Sequence, residues 1–82
     1  MESIKVKEVI PEDNLFLLIK FNNGVTKRYD VRQLFEEFPD FQLLEDSSLF
    51  SMVSVDCGGY AVAWTPELDI CEWELWDNGE TV

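Results

Sequence analysis

Period-two alternation of apolar and polar residues dominates the first third of the chain. In Leu15–Phe21, Leu15, Leu17, Ile19 and Phe21 fall on one face and Phe16, Leu18 and Lys20 on the other, the spacing of a β-strand. Both faces are largely apolar, which places this strand centrally or beneath a second covering layer. Ile4–Ile10 alternates Ile4 and Val6 with Lys5 and Lys7 and predicts a strand that ends at Pro11. Pro11-Glu12-Asp13-Asn14 supplies turn residues. Asn22-Asn23-Gly24 predicts a hairpin, because Asn-Gly tolerates the positive φ that tight turns need, and Val25–Tyr29 returns as a third strand.

At Asp30 the period changes. Asp30 is placed to cap a helix, with Gln33 three residues on at capping-box spacing. Val31, Leu34, Phe35 and Phe38 form one helical stripe before Pro39 stops it. Residues 40–48 read as a loop that carries Phe41, Leu43 and Leu44 onto the core. Leu49–Asp56 reads as a fourth strand, with Val53 and Val55 on one face. Gly58-Gly59 then turns the chain into a fifth, Tyr60–Trp64, where Tyr60, Val62 and Trp64 alternate with Ala61 and Ala63. Asp69–Trp76 fits two elements. As a strand it sets Cys71, Trp73 and Leu75 against Ile70, Glu72, Glu74 and Trp76. As a helix it has Cys71 at the cap, Glu72 and Glu74 in the first turn, and Asn78-Gly79 as the stop. Periodicity does not choose between them.

Composition narrows the class. Eighty-two residues make one domain, residues 1–82, and a chain this short buries only about 60% of its unfolded surface. At 46% hydrophobic and 13% aromatic it is a folding globule and not a disordered acidic tail. No apolar run approaches the ~20 residues of a membrane span, and the opening Met1-Glu2-Ser3-Ile4-Lys5 has no secretory pattern. The expected compartment is the cytoplasm.

Charge changes the picture more. The net charge is −11, and all six bases (Lys5, Lys7, Lys20, Lys27, Arg28, Arg32) lie in the first 32 positions with five acids. From Gln33 onward there are twelve acids and no base. Direct phosphate contact with nucleic acid, or with an anionic membrane, needs a basic patch this chain can hardly assemble. A basic protein is the natural electrostatic complement. The plainer alternative is that acidity serves solubility.

The parts for chemistry are few. There is no histidine to act as a general base near neutrality. Ser47, Ser48, Ser51 and Ser54 have no base partner in view, and Cys57 and Cys71 form no CxxC. Those cysteines are expected to be reduced and structural. Asp56, Asp69, Glu72 and Glu74 could converge, but a chain this small has little room for a carboxylate-lined cleft. Asp69–Glu74 lacks the D-x-D-x-D-G spacing of a calcium loop, and no Lys-Thr or Lys-Ser follows Gly58-Gly59. No enzymatic activity, metal or cofactor is expected, and a solvated acidic face accounts for the carboxylates.

The residues also carry a resemblance. Asn23-Gly24 comes first, then Tyr29-Asp30 opening a helix, then Leu49-Phe50 before a valine strand. Gly58-Gly59 leads to Val62-x-Trp64, followed by Asp69-Ile70 and Leu75-Trp76. In this order they resemble the bacterial family named domain of unknown function 2442, over roughly residues 4 to 79. The resemblance implies a small α+β domain with an antiparallel sheet and two short helices, in the order β-β-β-α-β-β-α. It favours the helical reading of Cys71–Trp76, with Cys71 standing where the family typically has a serine cap, and Leu75 and Trp76 facing the core. Trp73 falls where the family usually carries a polar residue. The family has no assigned activity. Some members are similar to antitoxins encoded beside a small partner and others are fused to helix-turn-helix regulators, which implies protein binding.

Trp73 therefore has two readings. Under strand periodicity it is core, packed with Cys71 and Leu75. Under the family register it is an exposed tryptophan rimmed by Glu72, Glu74 and Asp77, a residue type enriched at interface hot spots. Phe16 and Leu18 are expected beneath the first helix; otherwise they form a face for a second copy. Tyr29 and Trp64 belong to the core and Asp30 is a structural cap. The expected function is a protein-binding module, an acidic antitoxin-like or regulatory partner of a basic protein, acting through Trp73, Glu72, Glu74 and Asp77. Two alternatives stand beside it: an acidic nucleic-acid mimic that inhibits a nucleic-acid-binding protein, and a homodimeric accessory domain of a transcription regulator.

Overall fold

The computed structural model describes residues 4–82. Its elements are β1 (Val6–Glu12), β2 (Phe16–Phe21), β3 (Thr26–Asp30), α1 (Ser47–Phe50), β4 (Ser54–Asp56), β5 (Ala61–Thr65), β6 (Leu68–Cys71), α2 (Glu72–Asn78) and β7 (Glu80–Thr81). Short 3₁₀ segments join several of them. The strands form two antiparallel sheets, one in the order β1-β2-β3-β7 and one in the order β4-β5-β6. The α+β class agrees with the sequence. The number of sheets and the strand β7 were not anticipated, and β6 realises only the first part of the strand alternative for residues 69–76.

β2 is the central strand that its two apolar faces predicted. Leu17, Ile19 and Phe21 are buried, while Phe16, Leu18 and Lys20 are half-buried on the opposite face. Pro11 does not end β1. It pairs with Leu17 inside the strand, which is tolerated because β1 is the edge of its sheet and a missing N–H there leaves no ladder bond broken. At the β2–β3 hairpin the Gly24 amide bonds the Phe21 carbonyl at 3.1 Å. Gly24 takes the left-handed conformation (φ 89°) and Asn23 does not, so one residue of the Asn-Gly pair sets the turn.

The α-helix expected after Asp30 is a 3₁₀ turn, Val31–Leu34. Asp30 caps it, its carboxylate accepting from the Arg32 amide at 2.9 Å. Gln33 does not complete a capping box; its side-chain amide donates to the Asp30 carbonyl at 2.8 Å. Pro39 opens a second 3₁₀ stretch, Pro39–Glu45, where a loop was expected. That stretch buries Phe41 and Leu44 and leaves Leu43 exposed, because only one side of so short a turn can face the core. Leu49 and Phe50 belong to α1 and not to a strand. The Asp46 carboxylate caps that helix by accepting from the amides of Ser48 at 2.9 Å and Leu49 at 3.4 Å.

One core joins both sheets. Val6, Leu17, Ile19, Phe21 and Tyr29 of the first sheet meet Val62, Trp64, Leu68 and Ile70 of the second. Val31, Leu34, Phe41, Leu44, Phe50 and Leu75 close it. Trp64 anchors the second half: its ring stacks on Phe50 and meets Phe41 edge-on, and its indole N–H donates to the Phe50 carbonyl at 2.9 Å. The turn before β5 lies so close to β1 that a Cβ on Gly59 (φ 101°) would stand 2.7 Å from the Val6 carbonyl oxygen. Tyr29 and Trp64 are buried as expected. Val62 and Trp64 are buried on the expected face of the fifth strand, but Tyr60 lies before the strand and is exposed, and Ala61 is buried as well.

Candidate functional site

The ambiguous segment 69–76 is both of its alternatives in succession. Leu68–Cys71 is a strand, with Leu68 and Ile70 buried, and Glu72 begins α2. Cys71 occupies the cap position and its thiol makes no capping bond. The Glu72 amide is satisfied instead by the Tyr60 carbonyl at 3.0 Å. At the other end, a Cβ on Gly79 would stand 2.5 Å from the Leu75 carbonyl oxygen of α2 and 3.2 Å from the Lys27 Cβ of β3, so glycine lets the chain leave the helix tightly beside β3. Lys27 secures that end, its ammonium donating to the Trp76 carbonyl and lying 4.2 Å from the centre of the Trp76 ring. A cation at a helix C-terminus is also favoured by the helix dipole.

α2 turns Leu75 fully inward and packs Trp76 edge-on against Phe21. Trp73 points the other way and is 56% exposed. Its expected acidic rim is divided. Asp77 is exposed and remains beside it. Glu72 is 8% exposed and belongs to the buried side of the helix, because a helical residue shares its face with positions three and four away and Glu72 shares one with Leu75 and Trp76. Glu74 turns toward the sheet, accepting from the Tyr29 hydroxyl at 2.8 Å and the Asn78 amide at 2.9 Å. Burial, and then the bond to Glu74, hold the Tyr29 phenol well above its ordinary pKa; it stays a neutral donor.

Beside this helix lies a cleft of about 360 Å³. Leu34, Phe38, Phe41 and Ile70 form its apolar lining, and Glu67, Asp69 and Glu74 its charged one, with Cys71 at the helix end. Phe38 is 49% exposed and touches Phe41 edge-on. A second depression beyond the same ring adds Glu37 and Asp40. Sequence reading assigned Phe38 to a core stripe and missed this feature. The usable signal was Phe38-Pro39: proline ends the preceding turn and leaves the last aromatic at its rim. Of the four carboxylates that could have converged, Asp69 and Glu74 share this cleft, Asp56 lines a different depression, and Glu72 is buried.

Phe16 and Leu18 are not covered by the first helix. Val31 and Leu34 join the core on the other face of the sheet, because Asp30 leads the chain around that side. The outer face is dressed by its own charges. Lys20 pairs with Glu8 at 3.5 Å, Arg28 with Glu12 at 3.0 Å and Arg32 with Asp30 at 3.0 Å, and the Arg32 guanidinium lies over the Phe16 ring. The bonds from Arg32 hold the Asp30 carboxyl below the usual carboxylate range. Cys57 and Cys71 are free and exposed: no disulfide joins them, and neither packs in the core as a structural thiol would. Among the described residues no three His, Cys, Asp or Glu side chains are grouped to hold a metal ion. No helix among them is long and apolar enough to cross a membrane.

Comparison with known proteins places the chain. The profile of the family described as protein of unknown function (DUF2442) matches residues 6–81. The chain belongs to the DUF2442 family. No curated protein and no solved structure matches it. The family assignment covers nearly the whole domain, from β1 to β7, so the resemblance seen in the turn glycines and core aromatics holds. α2 falls where that resemblance favoured a helix.

Proposed function

We propose that this DUF2442 chain is a cytoplasmic protein-binding module, an acidic antitoxin-like or regulatory partner that covers a basic working surface of another protein. The observation that carries the reading is Trp73, 56% exposed on a helix whose surroundings in sequence contain no base from residue 33 onward. An exposed tryptophan contributes large apolar contact area at little entropic cost, and Asp77 beside it, with the acid excess of the second half of the chain, steers a cationic surface toward it.

A tagged pull-down from the native host at low and high salt tests this, with Trp73→Ala run in parallel. The expected result is a basic protein recovered in near-equal amount, weakened by salt and lost with Trp73→Ala, whose folding is intact because the ring is exposed. Affinity that stays flat from low to high salt would remove the electrostatic part. Failure to capture anything, even with the neighbouring gene product co-expressed, would remove the partner itself.

A further inference from the structure

We propose that the cleft beside Phe38 receives an arginine side chain of the partner protein, its guanidinium lying against the ring and reaching the carboxylates of Glu67 and Asp69. This rests on the protein-binding reading and gives it a second contact point. The cleft combines two linings that suit few other groups: Leu34, Phe38, Phe41 and Ile70 on one side, Glu67, Asp69 and Glu74 on the other. Glu74 is already committed to Tyr29 and Asn78. Glu67 and Asp69 are exposed and take part in none of the three ion pairs among the described residues.

Charge complementarity fixes the sign of the occupant, and the apolar lining selects among cations. A guanidinium is flat, weakly hydrated and stacks on aromatic faces while forking toward carboxylates; an ammonium is compact and strongly hydrated. The methylene stem of arginine would cover Phe38 and Phe41 as its head meets the acids. A second copy of this chain is poorly equipped to supply the group. Both of its arginines, Arg28 and Arg32, are engaged in ion pairs; of its lysines, Lys20 is paired, Lys27 is tied to Trp76 and Lys5 lies over the Tyr60 ring, which leaves only the ammonium of the exposed Lys7 and no guanidinium.

The test is an NMR titration with three capped heptapeptides, identical and neutral except for a central arginine, lysine or citrulline. The arginine peptide is expected to move the Phe38 ring and the Asp69 and Ile70 amides, and to bind more tightly than the lysine peptide and far more tightly than the citrulline one. Asp69→Asn should weaken it about two- to fivefold, as for an exposed ion pair. Asp13→Asn makes the same charge change in the β1–β2 turn, outside the cleft, and should leave affinity unchanged. Equal weakening by the two variants, shifts that map elsewhere, or equal binding of citrulline would each overturn the inference. At the level of the whole complex, a partner lost with Trp73→Ala but retained by Phe38→Ala would leave the binding-module reading standing and remove the cleft from it. Arginine-selective binding in the cleft with no captured partner would do the reverse.

Discussion

The two halves of this domain treat charge in opposite ways. On the outer face of the first sheet most charged strand positions meet an opposite charge: Glu8 with Lys20, Glu12 with Arg28, and Asp30 with Arg32 just beyond β3. In the second half Glu67, Asp69 and Asp77 stand at the surface beside exposed aromatic rings, with no base in that stretch of sequence to neutralise them. Half-exposed pairs of the first kind contribute little to stability, but they leave Phe16 and Leu18 screened by long side chains and short of attraction for a partner. The second surface is apolar and unneutralised. The difference locates the proposed interface by what each face lacks.

The largest effect that would test the comparison lies under the acidic half. Trp64→Ala removes the ring between Phe41 and Phe50 and strands the Phe50 carbonyl. It is expected to cost about 3–5 kcal/mol, enough to unfold a domain this small, as read by chemical denaturation. A loss under 1 kcal/mol would mean that the second sheet is not held by this cluster.

A smaller effect is expected where the two halves are joined by the Tyr29–Glu74 hydrogen bond. Tyr29→Phe should destabilise by about 1–2 kcal/mol, because it deprives a half-buried carboxylate of one of its two donors. The phenol's raised pKa adds an alkaline signature. Its contribution is whole below the ordinary tyrosine value near ~10 and is lost as pH rises through the folded value. Wild type should therefore lose stability in strong alkali faster than Tyr29→Phe, and parallel alkaline curves for the two proteins would contradict the assignment.

The smallest effect belongs to the paired face. Asp30→Ala removes a cap and the partner of Arg32, at about 1 kcal/mol near neutral pH. Because the Asp30 carboxyl is held below its ordinary value, this contribution is present above the ordinary range near ~4 and fades as pH falls through the folded value. The gap between wild type and variant should close in acid. A gap that persists at low pH would show that Asp30 acts through something other than its charge.

How far the chain could be read from its sequence varied with the range of the forces involved. β2, its buried face and the Gly24 hairpin follow from alternation and a turn residue within a few positions, and they were legible. The 3₁₀ turns at Val31–Leu34 and Pro39–Glu45 were not, because i, i+3 spacing is common to 3₁₀ and α segments and the choice is made by packing. Trp73 was legible as a question only. The family register favoured exposure, alternation favoured the core, and α2 resolves it by turning Leu75 inward.

By itself the sequence determined an acidic α+β fold, bases confined to the first 32 positions, and β2 as a strand inside its sheet. Tertiary structure decided where each carboxylate goes. Glu72 and Glu74 look alike in the chain, yet one is buried on the inner face of α2 and the other is tied to Tyr29 across forty-five positions. It also decided that Phe38, apparently a core residue, forms the lip of an acid-lined cleft. The physical reason is the same in both cases. Local patterns specify which side of an element is apolar, but charge and cleft are properties of elements brought together from distant parts of the chain.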